Sequence, residues 1–361
     1  MAIKYKWLSE RLRDFITQNM KKGIDKLPSE QELCRRYQVS RQTVRQSLSI
    51  LEKEGLIEKR RGSGTYITGL SSDAEKNIID ILISDDSEYI YPRLLNDIKT
   101  TLSENGFTGK TFVTGNRTCT EREILTGLLP LSPRGLIVEG CKSALPNPNL
   151  DLYHALLKKG CHIVFLHNYY PPLRDCTYIK DANISGSTML VDYLISQGHT
   201  QIGGIFKSDD MQGIERYQGF MEAMRDSHLA VPDEWVSWFD SDDLDKLKKR
   251  EDTSFLKKIV QESLDSCTAV ICYNDMIAYF LMKELKLSGC QLPNDMSIVT
   301  FDHTYLSNSN HLALTTLGHT HHEMGTKAAQ MIIDSLKGFP VTPIELPWKL
   351  IPKKSTSKKG D

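Results

Sequence analysis

Val39-Ser40-Arg41-Gln42-Thr43-Val44-Arg45 is the stretch that decides the fold of the amino-terminal region. Val39-Ser40 breaks one helical pattern and opens another, in which Val44, Leu48 and Leu51 recur at i, i+4 and i+7 on a single face. Ser40 is placed to cap that helix. Arg41, Gln42, Thr43, Arg45 and Gln46 then occupy its first turns, the end of a recognition helix that enters a major groove. An arginine fork matches the two acceptors of guanine, and glutamine can pair with adenine. Working outward, Leu8, Leu12, Phe15 and Ile16 share a face of a first helix, which Gly23 ends. Leu27-Pro28-Ser29 opens a second helix, with Ser29 and Glu32 at capping-box spacing. Gly55 stops the third. Residues 56–67 then read as a β-hairpin turning over Arg61-Gly62-Ser63-Gly64, whose glycines let its tip approach another backbone closely. Residues 1–68 are thus read as a winged helix-turn-helix.

Charge separates this head from the rest. It carries 15 Lys+Arg against 8 Asp+Glu, a balance of +7, whereas the remainder carries 30 against 38, a balance of −8. A basic head on an acidic body implies that only the head meets a polyanion. No apolar run approaches the ~20 residues of a membrane span. The polar, basic start is unlike a secretory signal, so a cytoplasmic location and no membrane partner are expected. The eight cysteines are scattered without a C-x-x-C pair and read as reduced thiols.

After a linker at 69–76 the texture changes to short apolar strands alternating with amphipathic helices. Strands are expected at 78–83, 110–114, 135–139, 162–166, 201–206, 235–239, 269–273, 297–301 and 314–317. That alternation implies α/β architecture with parallel sheets and helices on both faces. The length, 77–352, exceeds what one such sheet organises, so two lobes are expected. The Lys-rich tail, 353–361, is expected to be disordered.

Leu27-Pro28-Ser29-Glu30, the 39–45 stretch, Leu51-x-x-x-Gly55-Leu56-Ile57 and Gly62-x-Gly64-Thr65-Tyr66 resemble the GntR-type winged helix. The resemblance implies DNA contacts by Lys4, Glu30, Arg41, Gln42, Thr43, Arg45, Arg61, Gly62 and Gly64. In the body, Leu194-x-x-x-Gly198-His199-x-x-Ile202-Gly203 precedes Gln212-Gly213-x-x-Arg216-x-x-Gly219-Phe220. Further on stand 269–275 and Leu292-Pro293-Asn294-Asp295-Met296-Ser297-Ile298-Val299-x-Phe301-Asp302. This succession resembles the LacI/GalR-type sugar-sensing domain, a two-lobed, periplasmic-binding-protein-like (type I) fold. The pairing of such a head with such a body resembles the arabinose-repressor family of Gram-positive bacteria. So do the strings 87–92, 135–139 with 142–145, and 206–213. What this implies is a homodimeric repressor on a near-palindromic operator, with L-arabinose as the effector that releases it.

A sugar needs carboxylates, amides and cations at strand ends and an aromatic for its C–H face. In open α/β sheets ligands bind beyond the carboxyl ends of the strands. The candidates there are Tyr89, Tyr91, Asn168, Lys207, Asp210, Gln212, Asn274, Asp275 and Asp302; the resemblance adds Glu139 and Lys142 after the third strand, and implies that Arg216, in the helix after Phe206, holds a sugar hydroxyl. Other readings stay open: Asp275 and Asp302 as helix caps, Arg216 in a lobe-to-lobe ion pair, Glu139 with Lys142 as a surface pair. Trp238 and Phe239 are read as core rather than as a lid on the ligand. The sequence departs from the arabinose-repressor pattern at Gly140-Cys141, where a stiffer proline-containing segment is expected, and at His303, where an acidic residue is common. Both positions are expected near the pocket mouth.

The alternatives are the same architecture sensing another sugar or a nucleoside, a sugar-processing enzyme, and a DNA-binding protein with an inert body. No phosphate loop, nucleophile elbow or zinc-protease motif supports an enzyme. His319, His321 and His322 form the one dense imidazole cluster, without further ligands, so neither metal nor cofactor is expected.

Overall fold

The computed structural model describes residues 2–20, 26–53, 56–60, 63–67, 77–174, 176–308, 313–319 and 323–359. Gly23, Gly55, Arg61, Gly62, the 69–76 linker, His321 and His322 lie outside them. The chain divides into two units, Met1–Asn77 and Ile78–Asp361.

In the first unit, α1 (Ala2–Met20), α2 (Glu30–Tyr37) and α3 (Arg41–Lys53) precede β1 (Ile57–Arg60) and β2 (Gly64–Ile67). The periodic residues meet as read: Leu8, Leu12, Ile16, Leu27, Leu33, Val44, Leu48, Leu51, Ile57 and Ile67 form one core. The capping box closes, Ser29 N–H donating to Glu32 Oε2 at 2.8 Å and Glu32 N–H to Ser29 Oγ at 3.3 Å. Ser40 Oγ accepts from Thr43 N–H at 3.2 Å and starts α3. Buried Ser47 donates to Tyr5 O at 2.8 Å, fixing α3 against α1. Gly64, at φ +121°, closes the hairpin where a Cβ would stand 2.8 Å from Lys26 Cε.

The second unit has two lobes. The first holds β3 (Ile78–Ile83), α4 (Tyr91–Glu104), β4 (Thr108–Val113), α5 (Thr118–Leu128), β5 (Gly135–Val138), α6 (Leu150–Lys158), β6 (His162–Leu166) and β7 (Thr177–Asp181). The second holds α7 (Asn183–Ser196), β8 (Ile202–Lys207), α8 (Met211–Asp226), β9 (Val236–Phe239), α9 (Ser241–Arg250), α10 (Ser254–Glu262), β10 (Ala269–Cys272), α11 (Asp275–Leu287), β11 (Ser297–Thr300) and β12 (Thr315–Gly318). The chain then returns to the first lobe with α12 (Met324–Leu336) and β13 (Ile344–Leu346), and ends in the second with β14 (Lys349–Ile351). The sheet orders are β13-β7-β6-β5-β3-β4 and β14-β12-β11-β10-β8-β9. Every pair in them is parallel except β12–β14. The near-continuous apolar strands follow from burial on both faces. Ile79, Ile81 and Ile83 of β3 pack toward α4 and α12, while Leu82 packs toward α5 and α6.

All nine expected strands are present within a few residues. The strands β7, β13 and β14 were not read. The first, Thr177-Tyr178-Ile179-Lys180-Asp181, ends in two charges that are buried only because they find partners. The other two are three residues each.

The tail departs from the expectation of disorder. Residues 353–359 lie along the second lobe: Ser355 Oγ accepts from Thr315 N–H at 2.7 Å and donates to Ile298 O at 2.6 Å, and Ile298 N–H donates to Ser355 O. Ser355 and Ser357 use backbone and hydroxyl groups to pair with the sheet, so polarity there reflects pairing rather than solvation. A chain ending at residue 352 is therefore expected to lose roughly 2–4 kcal/mol of body stability, at about 1 kcal/mol for each of these hydrogen bonds. Denaturant unfolding of the truncated and full-length proteins measures it.

Candidate ligand cleft and nucleic-acid interface

The chain passes between lobes three times, at 181–183, 318–324 and 346–349. The carboxyl ends of both sets of strands thereby face one another across a cleft of about 540 Å³. Every expected ligand residue lines it except Lys142 and Asp275. Lys142 Nζ instead reaches across the lobes to Asp209 at 3.6 Å. Asp275 is fully buried behind the cleft, accepting from Thr304 N–H at 2.6 Å and Thr316 Oγ1 at 3.1 Å. It clamps the loop after β11, and burial together with the nearby Asp302 charge pushes its carboxyl up to about 7.

Arg216 organises the floor. It is 1% exposed; Nε donates to Asn183 Oδ1 at 3.0 Å, Nη1 to Tyr273 O, and Nη2 to Asp302 Oδ1 at 3.3 Å. Its guanidinium lies 4.2 Å from the Phe301 ring centre. Tyr89, from the first lobe, donates to Asp302 Oδ2 at 2.7 Å. Arg216 and Asp302 belong to the same lobe, so the pair is not the lobe-to-lobe bridge considered above. On one wall Lys207 Nζ meets Asp210 Oδ2 at 3.0 Å, which also accepts from Tyr273 Oη at 2.7 Å. Gln212 and Asn274 complete that wall, the latter capping α11 through Ile277 N–H. Burial lowers Lys207, but Asp210 and Asp209 outweigh it and raise the ammonium above its ordinary value.

On the other wall Glu139 accepts from Ser84 N–H at 2.7 Å and Tyr91 Oη at 3.0 Å. Asn168 is spent on Gly140, accepting from its N–H at 2.9 Å and donating to its carbonyl at 3.0 Å. A Cβ on Gly140 would fall 2.7 Å from the Tyr170 ring, so this site requires glycine. His303 does not reach the cleft: it lines a second cavity of about 380 Å³ on the hinge side. Trp238 and Phe239 pack among aromatics and do not line the cleft.

Sequence reading missed several lining residues, His167, Asp181, Asn116 and Lys248 among them. His167 immediately follows β6, so the strand-end rule reaches it; Asp181 ends the unread β7. Besides Tyr89–Asp302 and Lys142–Asp209, the lobes are joined by Asn116 Nδ2 to Ser241 Oγ at 2.7 Å and Lys248 to Asp85 at 3.1 Å. Met211 N–H also donates to Ser143 Oγ at 2.9 Å. Acidic lining residues (Asp85, Asp86, Glu88, Glu139, Asp181, Asp210, Asp245, Asp302) outnumber the basic ones (Arg117, Lys207, Arg216, Lys248, Lys249). Such a lining offers donors and acceptors of both kinds and disfavours an anion. Among the described residues no cluster of metal-binding side chains occurs. Nor is any helix long and apolar enough to cross a membrane.

In the head, Lys4, Arg41, Gln42 and Arg45 are exposed, and Thr43 is partly engaged by Ser40. Glu30 accepts from Arg41 Nε and Arg45 Nε, each at 3.1 Å. Burial raises its carboxyl slightly, but the two arginines outweigh that and hold it below the usual carboxylate range. Both arginines are therefore presented together from one face of α3.

Known proteins agree with this architecture. Residues 4–67 match the family of bacterial regulatory proteins, gntR family, and residues 191–356 match the periplasmic binding protein-like domain. An "Arabinose metabolism transcriptional repressor" of Geobacillus stearothermophilus is 32% identical over 336 residues, covering 92% of this chain and 91% of its own. The chain belongs to that repressor family. The Halalkalibacterium halodurans repressor of the same description is 30% identical over 343 residues, covering 93% of this chain and 90% of its own. Among solved structures, a periplasmic binding protein/LacI transcriptional regulator from Alkaliphilus metalliredigens, complexed with D-xylulofuranose, is 20% identical. It superposes with a TM-score of 0.64, over 78% of this chain and 99% of its own, which shows the shared fold. The protein is a transcriptional repressor with a GntR-type head, not an enzyme.

At the hinge, His319 Nε2 meets Asp181 Oδ1 at 2.8 Å, and Nδ1 meets Pro347 O at 3.0 Å. Burial lowers His319, but Asp181 outweighs it and raises the imidazole above its ordinary 6.5. Burial raises Asp181, but His167 and His319 hold it below the usual range. A raised histidine stabilises the fold fully below its unfolded value and loses that contribution as pH climbs through the folded value. A lowered aspartate contributes above its unfolded value and loses it on acidification. His319→Gln is thus expected to cost about 1–3 kcal/mol near pH 6 and less near pH 9. Unfolding curves of variant and wild type at the two pH values test the sign.

Proposed function

We propose that this repressor binds a neutral monosaccharide, L-arabinose, in the interlobe cleft and that sugar binding releases the head from its operator. The observation that carries the reading is the buried set at facing strand ends: Arg216 paired with Asp302, Lys207 paired with Asp210, and Glu139 held by Ser84 N–H and Tyr91 Oη. Such a lining suits an uncharged polyol, whose hydroxyls both donate and accept, better than a phosphorylated sugar. Family membership supports L-arabinose within that class.

The protein acts in the cytoplasm as a homodimer whose two heads meet the half-sites of a near-palindromic operator. In each head Arg41 and Arg45 read bases or adjacent phosphates, with Gln42, Thr43, Lys4 and the wing at Arg61, Gly62 and Gly64 in support. Glu30 holds the two arginines ready. Exposed pairs of this kind are worth about 0–1 kcal/mol, so DNA can take the arginines at little cost. The effector site comprises Tyr89, Tyr91, Glu139, Asn168, Lys207, Asp210, Gln212, Arg216, Asn274 and Asp302. Lys142 acts between the lobes, and Asp275 supports the loop that carries Asp302. Linkage requires that operator DNA weaken sugar binding by the same factor as sugar weakens operator binding.

A thermal-shift screen against pentoses and hexoses tests the reading. L-Arabinose at ~100 times its dissociation constant should stabilise the body by about 2.7 kcal/mol; no response to any sugar would refute it. Arg41→Ala should abolish operator binding and keep the sugar response. Arg216→Ala should keep operator binding and lose the response. Gel-shift titrations with and without sugar separate the two, and a folded variant losing both activities contradicts this division of labour.

A further inference from the structure

His167 is 5% exposed, lines the cleft, and meets no hydrogen-bond partner at either ring nitrogen among the described residues. An unpaired buried imidazole costs free energy unless something satisfies it. Its nearest charge is Asp181 Oδ2, 3.8 Å from Nδ1, an ion-pair distance rather than a hydrogen bond. The backbone adds a second, independent sign. His167 holds φ +64°, and two other cleft-lining residues, Tyr89 of the same lobe and Asp302 of the opposite one, hold φ +61° and +92°. Strain of this kind, costing about 1–3 kcal/mol per residue, persists where it serves a site. At His167 the backbone N–H donates to Ile179 O at 2.8 Å, which holds this residue of the cleft lining to β7.

We propose that His167 is a specificity-determining residue of the effector site, donating from Nε2 to one hydroxyl of the bound sugar while Nδ1 stays toward Asp181. This deepens the sugar-sensing reading and rests on it. Through Asp181 the contact adjoins His319 and Pro347, and so all three segments that cross between the lobes.

The experiment is a cycle of variant against ligand, using full-length protein and calorimetric titration. The probes are L-arabinose and its single-deoxy analogues. In wild type, one deoxy position should be penalised roughly 10- to 100-fold, the loss carried by one hydrogen bond to a charged donor. His167→Ala should bind L-arabinose weaker by the same factor and bind that one analogue as well as it binds the parent sugar. His167→Asn, which keeps a donor, should restore part of the difference and serves if the alanine variant does not fold. A folded variant that weakens L-arabinose and every analogue equally, or that binds like wild type, overturns the proposal and leaves sugar sensing intact. Wild-type protein that binds no sugar overturns both.

Discussion

Asp181 is a buried carboxylate at the point where the chain first leaves one lobe for the other. It takes a hydrogen bond from His319, on the second crossing, whose ring stacks on Trp348 of the third at 4.1 Å between centroids. It also faces His167 at the end of β6. Burial alone would push such a carboxylate up, but His167 and His319 beside it outweigh that and hold it below the usual carboxylate range. One charge therefore ties three sequence-distant segments together and lines the ligand cleft. Sheet pairing reaches into these crossings, β7 with β13 as far as Asp181–Leu346 and β12 with β14 at Gly318–Lys349, and Ala182 N–H donates to Leu346 O at 3.0 Å, so Asp181 adds a buried side-chain node to segments already held in register.

The cleft repeats that logic on a larger scale. Arg216 brings together Asn183 on α7, the end of β10 and Asp302 after β11, and the Lys180–Glu215–Asn183 chain continues outward from it. Few of these polar groups are left for structure alone. Each bond fixes the direction of a side chain in the cleft floor or directly behind it. The interlobe contacts, Tyr89–Asp302 and Lys248–Asp85 among them, are single hydrogen bonds or ion pairs.

The head works by exposure instead. Its apolar core fixes α3 rigidly against α1 and α2, while Glu30 gathers Arg41 and Arg45 in solvent. Weak pairing pre-orients both guanidinium groups without burying them, so they remain available to a polyanion. The same interaction type, carboxylate with arginine, is thus permanent at Asp302 and exchangeable at Glu30, and burial is the difference.

The periodicity at Val44, Leu48 and Leu51, the Ser29 and Ser40 caps and the run of short apolar strands were sufficient to determine the winged helix and the α/β body, because these signals are local. The strand-end rule also located most of the cleft. It failed at Lys142 and Asp275, whose positions in the chain are right but whose side chains turn to Asp209 and to Thr304 with Thr316. The tail, polar in sequence, is ordered by Thr315 and Ile298, 40 and 57 residues before Ser355. Only the tertiary structure brought Asp181, His319 and Trp348 together, since their contacts join three crossings far apart in the chain and leave no periodic trace. Sequence by itself determined which elements form and what class of chemistry they carry; the fold decided which buried charges meet, because pairing energy depends on distance in space and not on position along the chain.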